Sequence, residues 1–279
     1  MGVVLGQDCD ENMYWTDCGL PFECNPTCLN PNPLPGCATM CEVGCFCNEG
    51  YIFSDDLFNE CILIENCPQP LCNEETEVEL WGECYNIEET TELNYSYVYL
   101  GEISPNIGDL INLNYVHISD CGLSGQIPSE IGNLENLVSL QIYDNNLDLP
   151  DSLDMNIDCN LTGGIPVEIG SLVNLQQLDL RNNELTGVLP TELTNLDNLN
   201  SLLLSGNQLS GEIISGIGIL QELVSIDIGN NQLVGEIPES LFDLTNLNFL
   251  SLGNNNLEGN INSNINNLSS VYFLDLSSN

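Results

Sequence analysis

Asn183, Asn207, Asn231, Asn255 and Asn279 stand 24 residues apart, and Gly163, Gly187, Gly211, Gly235 and Gly259 keep the same interval. A fixed period of this length makes the back half of the chain an array of like units. Around each Asn the apolar positions recur in one order, as in Leu175, Leu178, Leu180, Leu185 and Leu189, with Gly187 and Pro190 between and after them. The L-x-L alternation marks a short strand whose leucines face inward while the intervening residues face solvent. A unit this small cannot bury its apolar face alone, so neighbours stack and stability accumulates through nearest-neighbour contacts. The Asn is expected inside, where its amide bonds loop backbone that would otherwise be buried unsatisfied. Gly and Pro mark the bends.

The full pattern, L-x-x-L-x-L-x-x-N-x-L-x-G-x-I/L-P, resembles the plant-type leucine-rich repeat from Thr90 to Asn279. The resemblance implies a right-handed solenoid with a parallel β-sheet on its concave face and loops or 3-10 turns on its convex face. Repeats open at Leu113, Leu137, Leu175, Leu199, Leu223, Leu247 and Val271, with a less regular first unit near Leu93. Leu137 and Leu175 are 38 residues apart, so 14 extra residues form an insertion near 148–160. The last ladder position is Asn279, with no capping sequence after it. Solenoids cover their terminal apolar faces, so the expectation is a truncated protein or an end covered by another molecule.

Ten of the 14 cysteines fall between Cys9 and Cys67, in a stretch too short for much core. Disulfides, and hence an oxidising compartment, are expected. The order of these cysteines, with Gly44–Tyr51 reading G-C-F-C-N-E-G-Y, resembles a trypsin-inhibitor-like cysteine-rich domain. Spacing alone does not select a connectivity. The family's connectivity would join Cys9 to Cys45, Cys18 to Cys41, Cys24 to Cys37, Cys28 to Cys67 and Cys47 to Cys61. In inhibitory relatives the loop between the fifth and sixth cysteines enters a protease; here it holds Ala38, Thr39 and Met40. By that resemblance Thr39 would fill the primary pocket of an elastase-like serine protease. A structural spacer is the competing reading, because a rigid loop binds only when side chain and pocket match.

Residues 1–8 then read as an N-terminal remnant, 9–67 as the cysteine-rich module, 68–89 as linker and cap, and 90–279 as about eight repeats. Within the cap, Leu80–Cys84 resembles the sequence that opens plant-type arrays, so a Cys72–Cys84 bridge is expected. Cys121 and Cys159 occupy successive ladder positions if the insertion precedes Cys159. Strands about 4.8 Å apart lie within the Cα separation a disulfide tolerates, and a Cys121–Cys159 bridge would complete seven. A pair of buried thiols is the alternative.

With 42 acidic residues, one Arg and no Lys, the net charge is -41. Such a chain repels nucleic acid and anionic membrane surfaces, and no apolar run approaches the roughly 20 residues of a membrane span. Asn94, Asn160 and Asn267 open N-glycosylation triplets, which with the cysteines favour a secreted protein. With one His, no Lys and cysteines expected to be bridged, the chain offers no nucleophile and base for catalysis, and no cofactor is expected. Asp148, Asp151, Asp154 and Asp158 offer oxygen ligands to calcium, although their spacing favours a solvated loop. A partner is expected on the concave sheet, where Tyr115, His117, Tyr143, Arg181, Phe249 and Phe273 face solvent. Tyr115 and Tyr143 are expected to cluster, Phe249 and Phe273 to stack, and Arg181 to pair with Asp179 or another acid. The function expected is extracellular recognition or adhesion through a protein or glycan, without catalysis. Serine-protease inhibition and head-to-tail self-association into an extracellular filament through the open repeat end are the alternatives.

Overall fold

The computed structural model describes residues 72–73, 75–98, 100–120, 122–145, 161–261 and 263–279 with their side chains, and four backbone strands before them. The early strands form two antiparallel pairs, Met13–Gly19 with Glu42–Cys47 and Tyr51–Phe53 with Cys61–Leu63. The chain divides into two compact units, one built chiefly from Met1–Cys72 and one from Asn73–Trp81, Tyr85–Leu147 and Asp158–Asn279. The side chains of the ten cysteines between Cys9 and Cys67, residues 38–40, the Cys121–Cys159 pair, the aspartates at 148, 151, 154 and 158, and Asn160 lie outside the described residues. Cys72 and Cys84 are joined by a disulfide, with Cα atoms 5.3 Å apart.

The second unit is a leucine-rich-repeat solenoid. Its main sheet has eight strands, all parallel and in chain order: Glu92–Ser96, Tyr115–Ser119, Ser139–Tyr143, Gln177–Asp179, Ser201–Leu203, Ser225–Asp227, Phe249–Ser251 and Phe273–Asp275. Each strand is displaced from its neighbour by one repeat, so Leu178, Leu202, Ile226 and Leu250 pair in register and lie buried. Pairing of Ser139 with Gln177 shows that the insertion leaves the sheet uninterrupted. Asn145 is buried just after its strand, and the repeat resumes at Leu161–Thr162, which places the extra residues between them.

Among the described residues a short 3-10 helix lies between each strand of the main sheet and the next. Pro128, Pro166, Pro190 and Pro238 precede four of them, supplying the fixed extended entry that proline favours. Two smaller parallel sheets, one of Gly101–Glu102, Leu123–Gln126 and Leu161–Thr162, the other of Ser210–Glu212, Gln232–Glu236 and Asn256–Glu258, line one flank. Between these layers runs a single leucine and isoleucine core from Val78 to Leu268. Each buried leucine contributes about 1.5–3 kcal/mol. Trp81 begins the stack, packing edge-on to Tyr95 at 5.4 Å and donating its Nε1 proton to the Glu102 carbonyl at 2.9 Å.

The asparagines hold the turns after the strands. Asn207 Nδ2 donates to the Leu180 and Leu204 carbonyls, while its Oδ1 accepts from the Leu185 amide. Asn231 and Asn255 repeat this arrangement. At Asn183 the cross-repeat bond goes to the Ile142 carbonyl, and among the described residues its Oδ1 receives no hydrogen bond. The amide that would serve it by analogy, Leu161, immediately follows the insertion.

Candidate binding surface on the concave sheet

The strand residues facing away from the core form three columns. The first runs Glu92, Tyr115, Ser139, Gln177, Ser201, Ser225, Phe249 and Phe273. The second runs Asn94, His117, Gln141, Asp179, Leu203, Asp227, Ser251 and Asp275. Ser119 and Tyr143 pair in the third, which continues through Arg181, Ser205, Gly229, Gly253 and Ser277. Here cross-repeat bonds such as Asn182 N to Ser205 O and Asn230 N to Gly253 O keep the register.

Arg181 is held by Asp179. Its Nε donates to Oδ1 at 2.9 Å and its Nη2 to Oδ2 at 2.6 Å, a two-pronged ion pair. These bonds to Asp179 raise the Arg181 pKa, and burial opposes them. The guanidinium lies 5.7 Å from the Tyr143 ring centre, close enough for a cation–π contact. Tyr143 in turn meets His117 edge-on at 5.4 Å. The aromatic cluster at this end therefore consists of Tyr143, His117 and Arg181 and does not include the expected Tyr115–Tyr143 contact. Tyr115 lies opposite Ser139 in the first column, whereas Tyr143 lies opposite Ser119 in the third.

At the other end Phe249 and Phe273 stack with ring centres 4.4 Å apart and planes 6° from parallel. Phe273 is 41% exposed, and Tyr272 beside it 82%. Acids neighbour the stack. Asp227 accepts from Ser205 Oγ at 2.7 Å, and Asp275 accepts from Ser277 N and Oγ at 2.9 and 2.6 Å. Those two bonds hold the Asp275 carboxyl below its ordinary pKa. The column of small residues at Ser205, Gly229 and Gly253 was missed by residue-type reasoning, although its 24-residue interval is visible in the sequence.

Of the glycosylation triplets, Asn94 is exposed in the second column beside His117, and Asn267 is exposed in the last 3-10 helix. A groove of about 830 Å³ lies away from the main sheet, lined by Glu102, Gln126 and Thr162 of the first smaller sheet with Ile127, Glu130 and Ile165. Among the described residues no three His, Cys, Asp or Glu side chains are arranged to hold a metal, and no helix is long and apolar enough to cross a membrane.

Residues 9–67 match the model of the trypsin-inhibitor-like cysteine-rich domain, and residues 112–134, 154–209 and 222–244 match leucine-rich-repeat models. The chain joins a trypsin-inhibitor-like domain to leucine-rich repeats. Over 67 residues, 24% of the chain, it is 39% identical to Mucin-6 of Gallus gallus, of which that match spans 5%. The leucine-rich repeats are similar in structure to a TDR receptor, with a TM-score of 0.60 and 36% identity over 67% of this chain and 30% of the receptor. They are similar also to the Arabidopsis receptor kinase HAESA, solved in complex with the peptide hormone IDA and the co-receptor SERK1. That likeness has a TM-score of 0.58 and 34% identity, and covers 67% of this chain and 29% of the receptor. The chain thus spans a third or less of each of these proteins.

Proposed function

We propose that this chain is a secreted, non-catalytic recognition protein whose leucine-rich repeats bind a protein partner across the concave sheet. The observation that carries the reading is the stacked, partly exposed Phe249–Phe273 pair on the outward face of the parallel sheet. Large rings presented to solvent from a rigid strand offer contact area at little entropic cost. Support comes also from the similar receptor ectodomain that carries a peptide hormone and a co-receptor, and from a cysteine content suited to an oxidising exterior. Glycans remain candidate ligands for the same face, because aromatic and carboxylate groups lie side by side on it.

The test is a binding screen of the oxidised chain against extracellular proteins and glycans, followed by the double variant Phe249→Ser, Phe273→Ser. Loss of the selected partner by about tenfold or more, with an unchanged circular dichroism spectrum, is expected. A partner held equally well by that variant would overturn the assignment to this face.

The family match over residues 9–67 favours a second reading, inhibition of an elastase-like serine protease through Ala38, Thr39 and Met40. Titration against a protease panel tests it, with stoichiometric inhibition abolished by Thr39→Arg as the expected result. Head-to-tail assembly and a calcium requirement through Asp148, Asp151, Asp154 and Asp158 are tested together by light scattering with calcium and with chelator; calcium-dependent growth in mass would favour both.

A further inference from the structure

The chain has one arginine, and its seat shows what this sheet does with a cation. Asp179-Leu180-Arg181 recurs as Asp227-Ile228-Gly229 and as Asp275-Leu276-Ser277. In all three the backbone amide two residues after the Asp approaches its Oδ1, at 3.2, 3.4 and 2.9 Å. The backbone and carboxylate are therefore alike, and the third residue differs. At Asp179 both carboxylate oxygens bond the guanidinium. At Asp227 and Asp275 that place is taken by Gly229 and Ser277, and the neutral hydroxyls of Ser205 and Ser277 are the side-chain donors. Among the described residues Arg181–Asp179 is the one ion pair; Asp227 acts on Arg181 through space alone, and Asp275 is bonded by the Ser277 amide and hydroxyl, in a chain of charge -41.

Two glycines pack against this part of the second column. A Cβ added to Gly253 would lie 2.7 Å from Asp275 Oδ2, and one added to Gly229 would lie 3.0 Å from Ser251 Oγ. The Asp275 carboxylate and the Ser251 hydroxyl thus lie close over glycine backbone, where a side chain at Gly253 or Gly229 would displace them. On their other side stands the Phe249–Phe273 stack, an apolar wall where Tyr143 serves the Arg181 seat.

Spacing selects the shape of the partner. Asp227 and Asp275 lie two strands apart in one column, with Ser251 between them, a separation of about 9.6 Å at the usual strand spacing. A polyproline-II segment rises about 3.1 Å per residue with three residues per turn, so side chains i and i+3 project from one face about 9.3 Å apart. An extended β-strand covers a similar distance in three residues but turns its i and i+3 side chains to opposite faces.

We propose that the Asp227–Asp275 end of the concave sheet binds a basic polyproline-II segment of a partner protein. Cationic side chains three residues apart sit on the two aspartates, and the residues between pack on Phe249 and Phe273. This rests on the recognition role given above and names its partner. Arg181 is the in-chain counterpart of the partner's cation and closes the third acid of the series to it.

The test uses the full oxidised chain and fluorescein-labelled peptides in anisotropy titrations at physiological salt. One peptide has four Arg-Pro-Pro triplets, one has four Arg-Pro pairs, and one has four Glu-Pro-Pro triplets. The Arg-Pro-Pro peptide is expected to bind about tenfold tighter than the Arg-Pro peptide, and the acidic peptide not at all. Asp227→Asn and Asp275→Asn should each weaken it about five- to tenfold. Ser277→Arg, which supplies Asp275 with a cation of its own, should weaken it similarly, and Asp197→Asn, at an exposed turn outside the sheet, should leave it unchanged. Equal binding of the two arginine peptides, or an equal loss with Asp197→Asn, would reduce the effect to diffuse charge and overturn the proposal. Absence of peptide binding alongside a screened partner that still depends on Phe249 and Phe273 would sink this inference and leave the recognition role standing. A partner indifferent to both phenylalanines would remove the role itself.

Discussion

At the scale of single residues, the asparagine at each strand's end resolves a conflict between burial and backbone polarity. Asn207 is 9% exposed, and it satisfies two carbonyls and one amide from two repeats. Asn207→Ala removes all three partners and should cost about 2–4 kcal/mol. In a domain of this size the melting temperature should fall by about 2–4 °C for each kcal/mol. Calorimetry on the variant checks it; a change within error would mean that the loop backbone finds other partners. Asp275 allows a second test. Its pKa is lowered from 3.8 by Ser277, so its charged form is favoured in the folded state. That contribution is present above the unfolded pKa and is lost as pH falls through the lower folded value. An NMR titration of the side-chain carboxyl should show a midpoint below 3.8, returning toward it in Ser277→Ala. An unchanged midpoint in that variant would remove the hydroxyl bond as the cause and leave the backbone amide bond, which alanine retains. The fixed interval made the Asn role legible beforehand. Asp179 was legible too as a partner for Arg181, because side chains two apart along an extended strand share a face, and the two-pronged pair is there.

At the scale of the element, the stack is kept tight by glycines in the 3-10 helices. A Cβ on Gly218 would lie 2.1 Å from the Ser240 carbonyl oxygen, and one on Gly170 would lie 2.5 Å from that of Glu192. Backbone cannot swing aside as a side chain can, so Gly218→Ala must separate adjacent repeats, at a cost of about 1–3 kcal/mol. Gly164→Ala meets nothing nearer than 3.7 Å and should be close to neutral. Paired thermal melts check the contrast, and equal stability of the two variants would count against it. Thr194 fills the corresponding place in its own repeat, and the next helix is there shortened to Ile217–Ile219 with Gly216 beside the Thr194 methyl. A second asparagine row is also structural: Asn112, Asn136, Asn174, Asn198 and Asn246 each donate to a carbonyl of the preceding repeat. The spacing of 24 that reveals both asparagine rows also put Phe249 and Phe273 in one column, where they stack. The Tyr143–His117 contact was less legible, because Tyr143 belongs to the third column and Tyr115 to the first, and the two strands meet only in the assembled sheet.

At the scale of the whole molecule, charge opposes compactness. The leucine-rich repeats hold one ion pair among their described residues, and the chain as a whole carries 42 acidic groups. Salt screens that repulsion over a length of about 10 Å at 0.1 M, so the melting temperature should rise between about 0.01 and 0.5 M sodium chloride. Scanning fluorimetry across that range decides it, and a flat response would mean that the acids are spaced widely enough not to interact. What the sequence determined by itself was the period, and through it the strand, the inward leucines, the buried Asn and the stacking of one repeat on the next. These follow from a pattern each repeat carries locally, since an apolar stripe of this size has no way to be buried except against its copy. What only the tertiary structure decided was which outward residues meet. Asp179 bonds Arg181 while Asp227 and Asp275 bond neutral serines, because contact across a sheet depends on the register of different strands and on which residues their neighbours place beside them.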